Sequence, residues 1–486
     1  MRIFKRFLLP VAVLAAGTLL GALVLYQFFG LRVRLDGGGN PRLTFVIDAS
    51  TQADIVERHR EAQRRTESAA VALSAEAATP EASGAAHQSQ ATAGPPTAPP
   101  SPPPYWTDFR GPLRDGHYRE RPIRTVWTAG GLQPLWKQPI GGGYASFVIA
   151  RNRAFTIEQR GRREVVAAYD LRTGRELWTN AWDALFTESL GGDGPRATPT
   201  WADGVVYALG ATGELRALDE DKGRTIWRIN ILDDNGATNL DWGMAASPLV
   251  TGNSVVVLPG GPDGRSVVAY ARRTGQRMWS MLGDKQAYSS PMLVTLGGVQ
   301  QILVFAATRL MGLSPDGSGV LWDFPWQTPF DINAGQPILV GSNRVFLSSG
   351  YGTGAAVIEV KPQGSGFTVT EIWRNNRMKN QFTSSVLHDG FVYGLDESIM
   401  ACLDVVTGEL RWKGGRYGHG QVLLASGHLI VLTEDGDLAL VRATPERHEE
   451  IARFPAIEGK TWNHPAIGEG YLLVRNIAEM AAFDLR

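Results

Sequence analysis

From about residue 130 to its end the chain is built of short apolar stretches, each four to eight residues long and bounded by turn residues. Val205-Val-Tyr-Ala-Leu209, Ser254-Val-Val-Val-Leu258 and Leu429-Ile-Val-Leu432 are rich in β-branched and aliphatic residues, the composition of strands. Ala168-Tyr-Asp-Leu-Arg-Thr-Gly-Arg-Glu-Leu-Trp178 shows how two such strands are joined. It reads as a strand ending at Asp170, a tight turn at Thr173-Gly174 and a second strand closing on Trp178. Gly174 supplies the positive φ such a turn needs, and the Asp170 carboxylate can bond the turn's backbone.

The hairpin recurs. Ala217-Leu-Asp219 leads through Gly223 to Trp227, Ala269-Tyr-Ala271 through Gly275 to Trp279, and Cys402-Leu-Asp404 through Gly408 to Trp412. Looser copies end at Trp322 and Trp373, an opening copy ends at Trp136, and Phe454 takes the Trp position once. The markers stand roughly 40 to 50 residues apart, the period of a β-propeller blade. A slot of small residues opens each unit, beginning near Ala145, Ala197, Ala246, Ser289, Gly335, Thr383, Gly420 and Asn463. Four short strands in meander order per slot predict an all-β, eight-bladed propeller over residues 105–486. The two-residue periodicity excludes an α-solenoid. After the slot at Asn463 the chain ends without a Trp-bearing outer strand, whereas Leu132–Lys137 lacks strands before it. The N-terminal strand should therefore complete the last blade and close the ring.

Upstream the pattern changes. Residues 1–6 carry Arg2, Lys5 and Arg6, and residues 7–31 are an apolar run followed by Arg32 and Arg34. Twenty-five helical residues reach roughly 37 Å, enough to cross a hydrocarbon layer of about 30 Å. The expectation is an uncleaved transmembrane anchor, single-pass in the cytoplasmic membrane, with the propeller facing the periplasm or the cell exterior. Residues 32–65 form a juxtamembrane segment in which 53–63 read as a short charged helix, with His59 on its solvated surface. Residues 66–104 are Ala, Ser, Thr and Pro, and read as a disordered tether reaching roughly 120 Å at most.

Composition adds exclusions. The 48 basic and 48 acidic residues cancel, so no net field steers the chain to nucleic acid. The single cysteine, Cys402, excludes an intrachain disulfide and a cysteine-based metal site, and its place on a strand makes it a buried small hydrophobe. Gly191-Gly-Asp-Gly194 and Gly350-Tyr-Gly-Thr-Gly354 open no βαβ helix and are not phosphate cradles.

The repeat resembles that of the eight-bladed quinoprotein (PQQ-type) propellers, whose blades carry Ala-x-Asp-x-x-Thr-Gly-x-x-x-Trp; Ala168 to Trp178 matches every fixed position. Trp106-Thr-Asp-Phe-Arg-Gly-Pro-Leu-Arg-Asp-Gly116 is similar to the opening segment of membrane-anchored or exported bacterial members. The resemblance implies either a quinone-dependent dehydrogenase of alcohols or sugars, or a non-enzymatic propeller like the lipoprotein of the outer-membrane β-barrel assembly machine. In each blade the residue before the slot should ring one channel mouth: Tyr144, Arg196, Ala245, Tyr288, Ala334, Phe382, His419 and Trp462. Such rings can stack on a flat cofactor or a peptide aromatic, and Arg196 can pair with a carboxylate; the plain structural reading is that they plug the mouth. Neighbouring loops add Asp241, Trp242, Lys285, Asp331, Asn333, Lys379 and Lys460. For a dehydrogenase with pyrroloquinoline quinone and calcium, Asp241 or Asp331 would be the base and Asn333 an oxygen ligand. The vicinal cysteine pair of many alcohol-oxidising members is absent. The sequence therefore favours a binding or assembly scaffold engaging a protein or small ligand at a propeller face, with the dehydrogenase as the alternative.

Overall fold

The structure, a computed structural model, describes residues 21, 24–26, 31–36, 38–39, 41–45, 49–76, 105–128 and 130–486. Eight antiparallel sheets form a closed propeller: blade 1 over 148–183, blade 2 over 200–230, blade 3 over 249–281, blade 4 over 292–325, blade 5 over 338–375, blade 6 over 386–416, blade 7 over 421–455 and blade 8 over 466–484. Each blade's innermost strand starts a few residues after the small-residue slot, from Val148–Ala150 in blade 1 to Ala466–Gly468 in blade 8. Inner strands of neighbouring blades touch around much of the ring. We call the end of the channel where they begin the upper mouth. The ring closes as expected: Pro134–Pro139 pairs antiparallel with Glu479–Asp484 as the outer strand of blade 8, placing Trp136 opposite Ala482.

The third and outermost strands of every blade share a register shift. It follows the pairs Ala168↔Trp178, Ala217↔Trp227, Ala269↔Trp279, Gly312↔Trp322, Val357↔Trp373, Cys402↔Trp412 and Ala482↔Trp136. In blade 7 it follows Leu440↔Ala452, so Ala452 occupies the Trp position and Phe454, expected there, lies two residues further on. The sequence pattern matched the aromatic, whereas the backbone register follows the bulge.

Four of the tryptophans staple their blade to the next by a hydrogen bond. Trp178 Nε1 donates to the Glu220 carbonyl, Trp227 to Arg272, Trp373 to Val405 and Trp412 to Thr444, each in the turn of the following blade. The turn glycine lies beneath the indole: a Cβ on Gly275 would sit 2.8 Å from Trp227. Asp170 Oδ1 accepts from the Arg172 and Thr173 amides, and Gly174 has φ +70°. Between blades the apolar faces interlock, as where Val166, Ala168 and Trp178 meet Trp201, Val206 and Leu218. Cys402 lies in such a layer, and burial pushes its thiol up to about 12.

The N-terminal region departs from expectation. Of the anchor over 7–31, only Gly21, Val24 to Tyr26 and Leu31 are described; the rest, with residues 1–6, lies outside the described residues. Among the described residues no helix is long and apolar enough to cross a membrane. Leu31, the anchor's expected last residue, opens a strand, Leu31–Leu35, which pairs with Pro41–Phe45. The short charged helix becomes Ala49–Glu76, so residues 66–76 of the expected tether are helical. Their Ala, Glu and Leu content is low in complexity but high in helix propensity. Residues 77–104 lie outside the described residues.

This helix fills the outer groove between blades 8 and 1, along the closure seam. Gln52 Nε2 donates to the carbonyls of Ile140 and Ala478, 2.8 and 3.0 Å away. Arg60, 1% exposed, donates to Gln138 Oε1 and the Pro139 carbonyl at 2.8 and 2.9 Å, lies 3.5 Å from Glu176, and covers the Tyr169 ring. Glu57 pairs with Arg160 at 3.0 Å, and Glu67 with Arg175 at 2.6 Å. His59 is half-buried, 3.0 Å from Gln138, rather than solvated. The neighbouring Arg160 and Arg475 hold the buried Glu158 carboxylate down to about 2, against the opposing effect of burial.

Candidate functional site

The upper mouth brings most of the anticipated rings into one arc. Trp462 packs against Tyr144 with ring centroids 5.5 Å apart and against Phe382 at 4.4 Å, and Phe382 stacks on His419 at 5.2 Å. Trp242 and Tyr288 form a separate edge-to-face pair at 5.8 Å. A loop over residues 188–194 reaches across to this arc. Its Gly191 carbonyl accepts from the Tyr144 hydroxyl and from Lys460 Nζ, the latter at 3.0 Å, and Lys460 also lies 3.4 Å above the Trp462 ring. Arg196 donates to the carbonyls of Gly192 and Gly194 and stacks on Phe186 and Tyr144. Its guanidinium is thus committed to the loop rather than held ready for a carboxylate, and burial lowers its pKa. His419 is buried, with Nε2 3.0 Å from Gln381 Oε1. Ala245 and Ala334, the other two mouth positions, are partly exposed and add no ring.

A groove of about 530 Å³ opens beside this arc, over blade 3. Asp241, Lys285, Tyr288 and Asp331 all line it, joined by Phe330, which is 64% exposed. Lys285 and Asp331 form an ion pair at 3.0 Å, and Phe330 packs edge-on against Tyr351 at 5.5 Å. Burial raises the Tyr288 phenol, which stays protonated. Lys379 lies away from the groove, paired to Asp396 at 3.2 Å. Sequence spacing thus located four groove residues and missed Phe330, a loop aromatic whose exposure no pattern signals.

The donor set does not fit a calcium-bound quinone. Asn333 is fully buried; its Nδ2 donates to the carbonyls of Ala306 and Ala307, and its Oδ1 accepts from Ser349 at 2.6 Å. The amide is thus committed to bracing the loops around it. Asp331 is occupied by Lys285, and among the described residues no three His, Cys, Asp or Glu side chains gather in a metal-holding group.

The lower end of the channel is filled by the chain itself. Residues 105–118 thread into it: Ile149 and Trp201, in the inner strands of blades 1 and 2, donate to the carbonyls of Trp106 and Thr107, and His117–Tyr118 adds a parallel strand to the inner edge of blade 7. Arg114, 2% exposed, donates to the carbonyls of Ser247, Pro248 and Pro291 at 3.1, 2.5 and 2.8 Å, and pairs with Asp108 at 3.1 Å. Arg110, also 2% exposed, donates to the Ser385 carbonyl of blade 6 at 2.8 Å. Two side chains four residues apart therefore reach inner strands on different sides of the ring. Phe109-Arg-Gly-Pro stood out in the sequence only through family resemblance.

Just over half of the chain, residues 162–414, matches the family model described as outer membrane protein assembly factor BamB. The chain belongs to this family. BamB of Bordetella pertussis is 25% identical over 302 residues, covering 60% of this chain and 68% of its own. Among solved structures, BamB from Moraxella catarrhalis superposes with a TM-score of 0.53 at 14% identity, over 73% of this chain and 98% of that one. A quinohemoprotein alcohol dehydrogenase from Comamonas testosteroni gives 0.59 at 13% identity, over 78% of this chain and 80% of its own. At such identities the two structural matches establish the propeller and nothing more.

Proposed function

We propose that this BamB-family chain is a non-catalytic scaffold outside the cytoplasm, held at the membrane by its N-terminal segment, whose upper face binds a protein partner in outer-membrane protein assembly. One observation carries the reading: the lower channel end is filled by residues 105–118, while the upper face keeps an open groove beside a ring arc. Exposed Phe330 with a charged rim of Asp241, Lys285 and Asp331 is the composition of a protein-binding patch, an aromatic anchor within polar surroundings. Family membership supports the same class of partner, and the commitment of Asn333 and Asp331 weighs against quinone turnover.

The test uses two arms. Full-length protein in detergent is incubated with pyrroloquinoline quinone and calcium, and bound quinone absorbance and dye reduction with alcohols and glucose are recorded. It is also mixed with the purified outer-membrane β-barrel assembly machinery of the same cell, beside a Phe330→Ala, Lys285→Glu double variant. The proposal expects no turnover, and binding to the machinery that the double variant weakens at least tenfold. Stoichiometric quinone with turnover, or binding indifferent to the double variant, would refute it.

A further inference from the structure

The plug over residues 105–120 carries three arginines and three acids, and their pairing is uneven. Arg114 has Asp108 at 3.1 Å, and Arg119 has Asp115 at 2.8 Å. Glu120 is spent on the Tyr118 hydroxyl and the Glu469 amide, at 2.9 and 2.7 Å. Arg110 is left with no carboxylate at ion-pair distance among the described residues; Asp115, the acid whose field reaches it, is already held by Arg119. Of its donors, Nη2 is used on the carbonyls of Ser385 and Asp115, while Nε and Nη1 are buried and meet no acceptor among the described residues.

A buried guanidinium without a counter-charge is costly, and proteins meet the cost with an acid, a ring of carbonyls or a bound anion. Arg114 uses the first two. Arg110 has one close carbonyl, at 2.8 Å, and two idle donors. The surroundings suit a small anion. The guanidinium is pressed over Gly116, where a Cβ would collide with it, so the chain keeps its position. Phe109 turns its ring edge-on to His464, with centroids 4.9 Å apart. His464 is buried, and burial together with the field of Arg110 keeps its imidazole neutral. A neutral imidazole retains one N–H to offer an anion and adds no competing charge.

We propose that the channel holds a small monovalent anion, chloride in solution, against Nε and Nη1 of Arg110. The anion would be a structural constituent of the hub, joining the plug to blades 6 and 8. Its size class follows from the burial of Arg110, which at 2% exposure offers an extended ligand no surface to reach.

Crystals of the full chain grown in sodium bromide, and thermal unfolding in sodium chloride against sodium gluconate at equal ionic strength, test the proposal together. It expects an anomalous bromide peak at hydrogen-bond distance from Arg110, and a midpoint about 2 °C or more higher in chloride. Arg110→Gln should abolish the chloride increment, while Arg163→Gln, which alters an exposed pair of blade 1, should keep it. If Arg110→Gln fails to fold, the wild-type peak and chloride increment decide. An ordered plug without a bromide peak, a peak without a chloride increment, or an increment that survives in a folded Arg110→Gln would each overturn the assignment.

Discussion

The two ends of the channel are closed by different physics. At the lower end, Arg114 is 2% exposed and distributes its donors over the carbonyls of Ser247, Pro248 and Pro291. At the upper end, half-buried rings lean on one another, and Tyr144, Arg196 and Lys460 hold a glycine-rich loop by its carbonyls. A buried, multiply bonded charge is costly to disturb, whereas ring contacts at a solvent boundary rearrange cheaply. The lower end therefore belongs to the fold, and the upper end is the face available for recognition.

That contrast can be broken first at Arg114. Arg114→Met removes all its donors, leaves three buried carbonyls without them and takes the cation from the partly buried Asp108, so the propeller should lose about 3–5 kcal/mol by denaturant unfolding. A loss under 1 kcal/mol would put the lower end in the same class as the upper. The second effect is a pH dependence on the upper side of blade 1. Glu164 is fully buried, accepts from the Ala211 amide and Trp182 Nε1, and is raised by burial to about 7 from an ordinary 4.5. A native pKa above the unfolded one means that the native state binds more protons between these values. The Glu164 contribution to stability should thus be greatest below pH 4.5, fall by about 3 kcal/mol as pH rises to 7, and level off beyond. Glu164→Gln should flatten that slope; an unchanged slope would assign the titration elsewhere.

Next in size is the helix along the closure seam. Arg60→Ala removes two hydrogen bonds to the propeller and one cation beside Glu176, and should cost about 2 kcal/mol, read as earlier protection loss over Pro134–Pro139 in hydrogen exchange. Smallest should be Trp462→Ala at the upper mouth: about 1 kcal/mol in stability, since the ring is half-buried with Lys460 above it, but a clear loss of partner binding.

How legible these regions were follows from where their contacts lie. The blade motif was readable because its parts recur: Asp170, Gly174 and Trp178 are close in sequence, and their partners repeat one blade later. Blade 7 was misassigned by two residues because the bulge, rather than the aromatic, sets the register. The mouth positions followed from counting back from the inner strands, and Asp241, Lys285, Tyr288 and Asp331 do share one groove. Asn333 was readable as a polar loop residue but not as a buried brace, since its partners Ala306, Ala307 and Ser349 come from other turns. Arg60, Arg110 and Arg114 were illegible for the same reason: each finds its acceptors at main-chain carbonyls, which carry no sequence signature, on blades far away along the chain.

Phe330 on the upper face and Leu113 on the lower are nearly equally exposed, at 64% and 60%, and so form a matched pair for placing the partner. A photo-crosslinking residue is installed at one position or the other in the full chain, and the cells are irradiated. An upper-face scaffold should give a discrete adduct with a component of the outer-membrane β-barrel assembly machinery from position 330 and none from position 113. An adduct from 113 alone, or equal adducts from both, would contradict an upper-face scaffold.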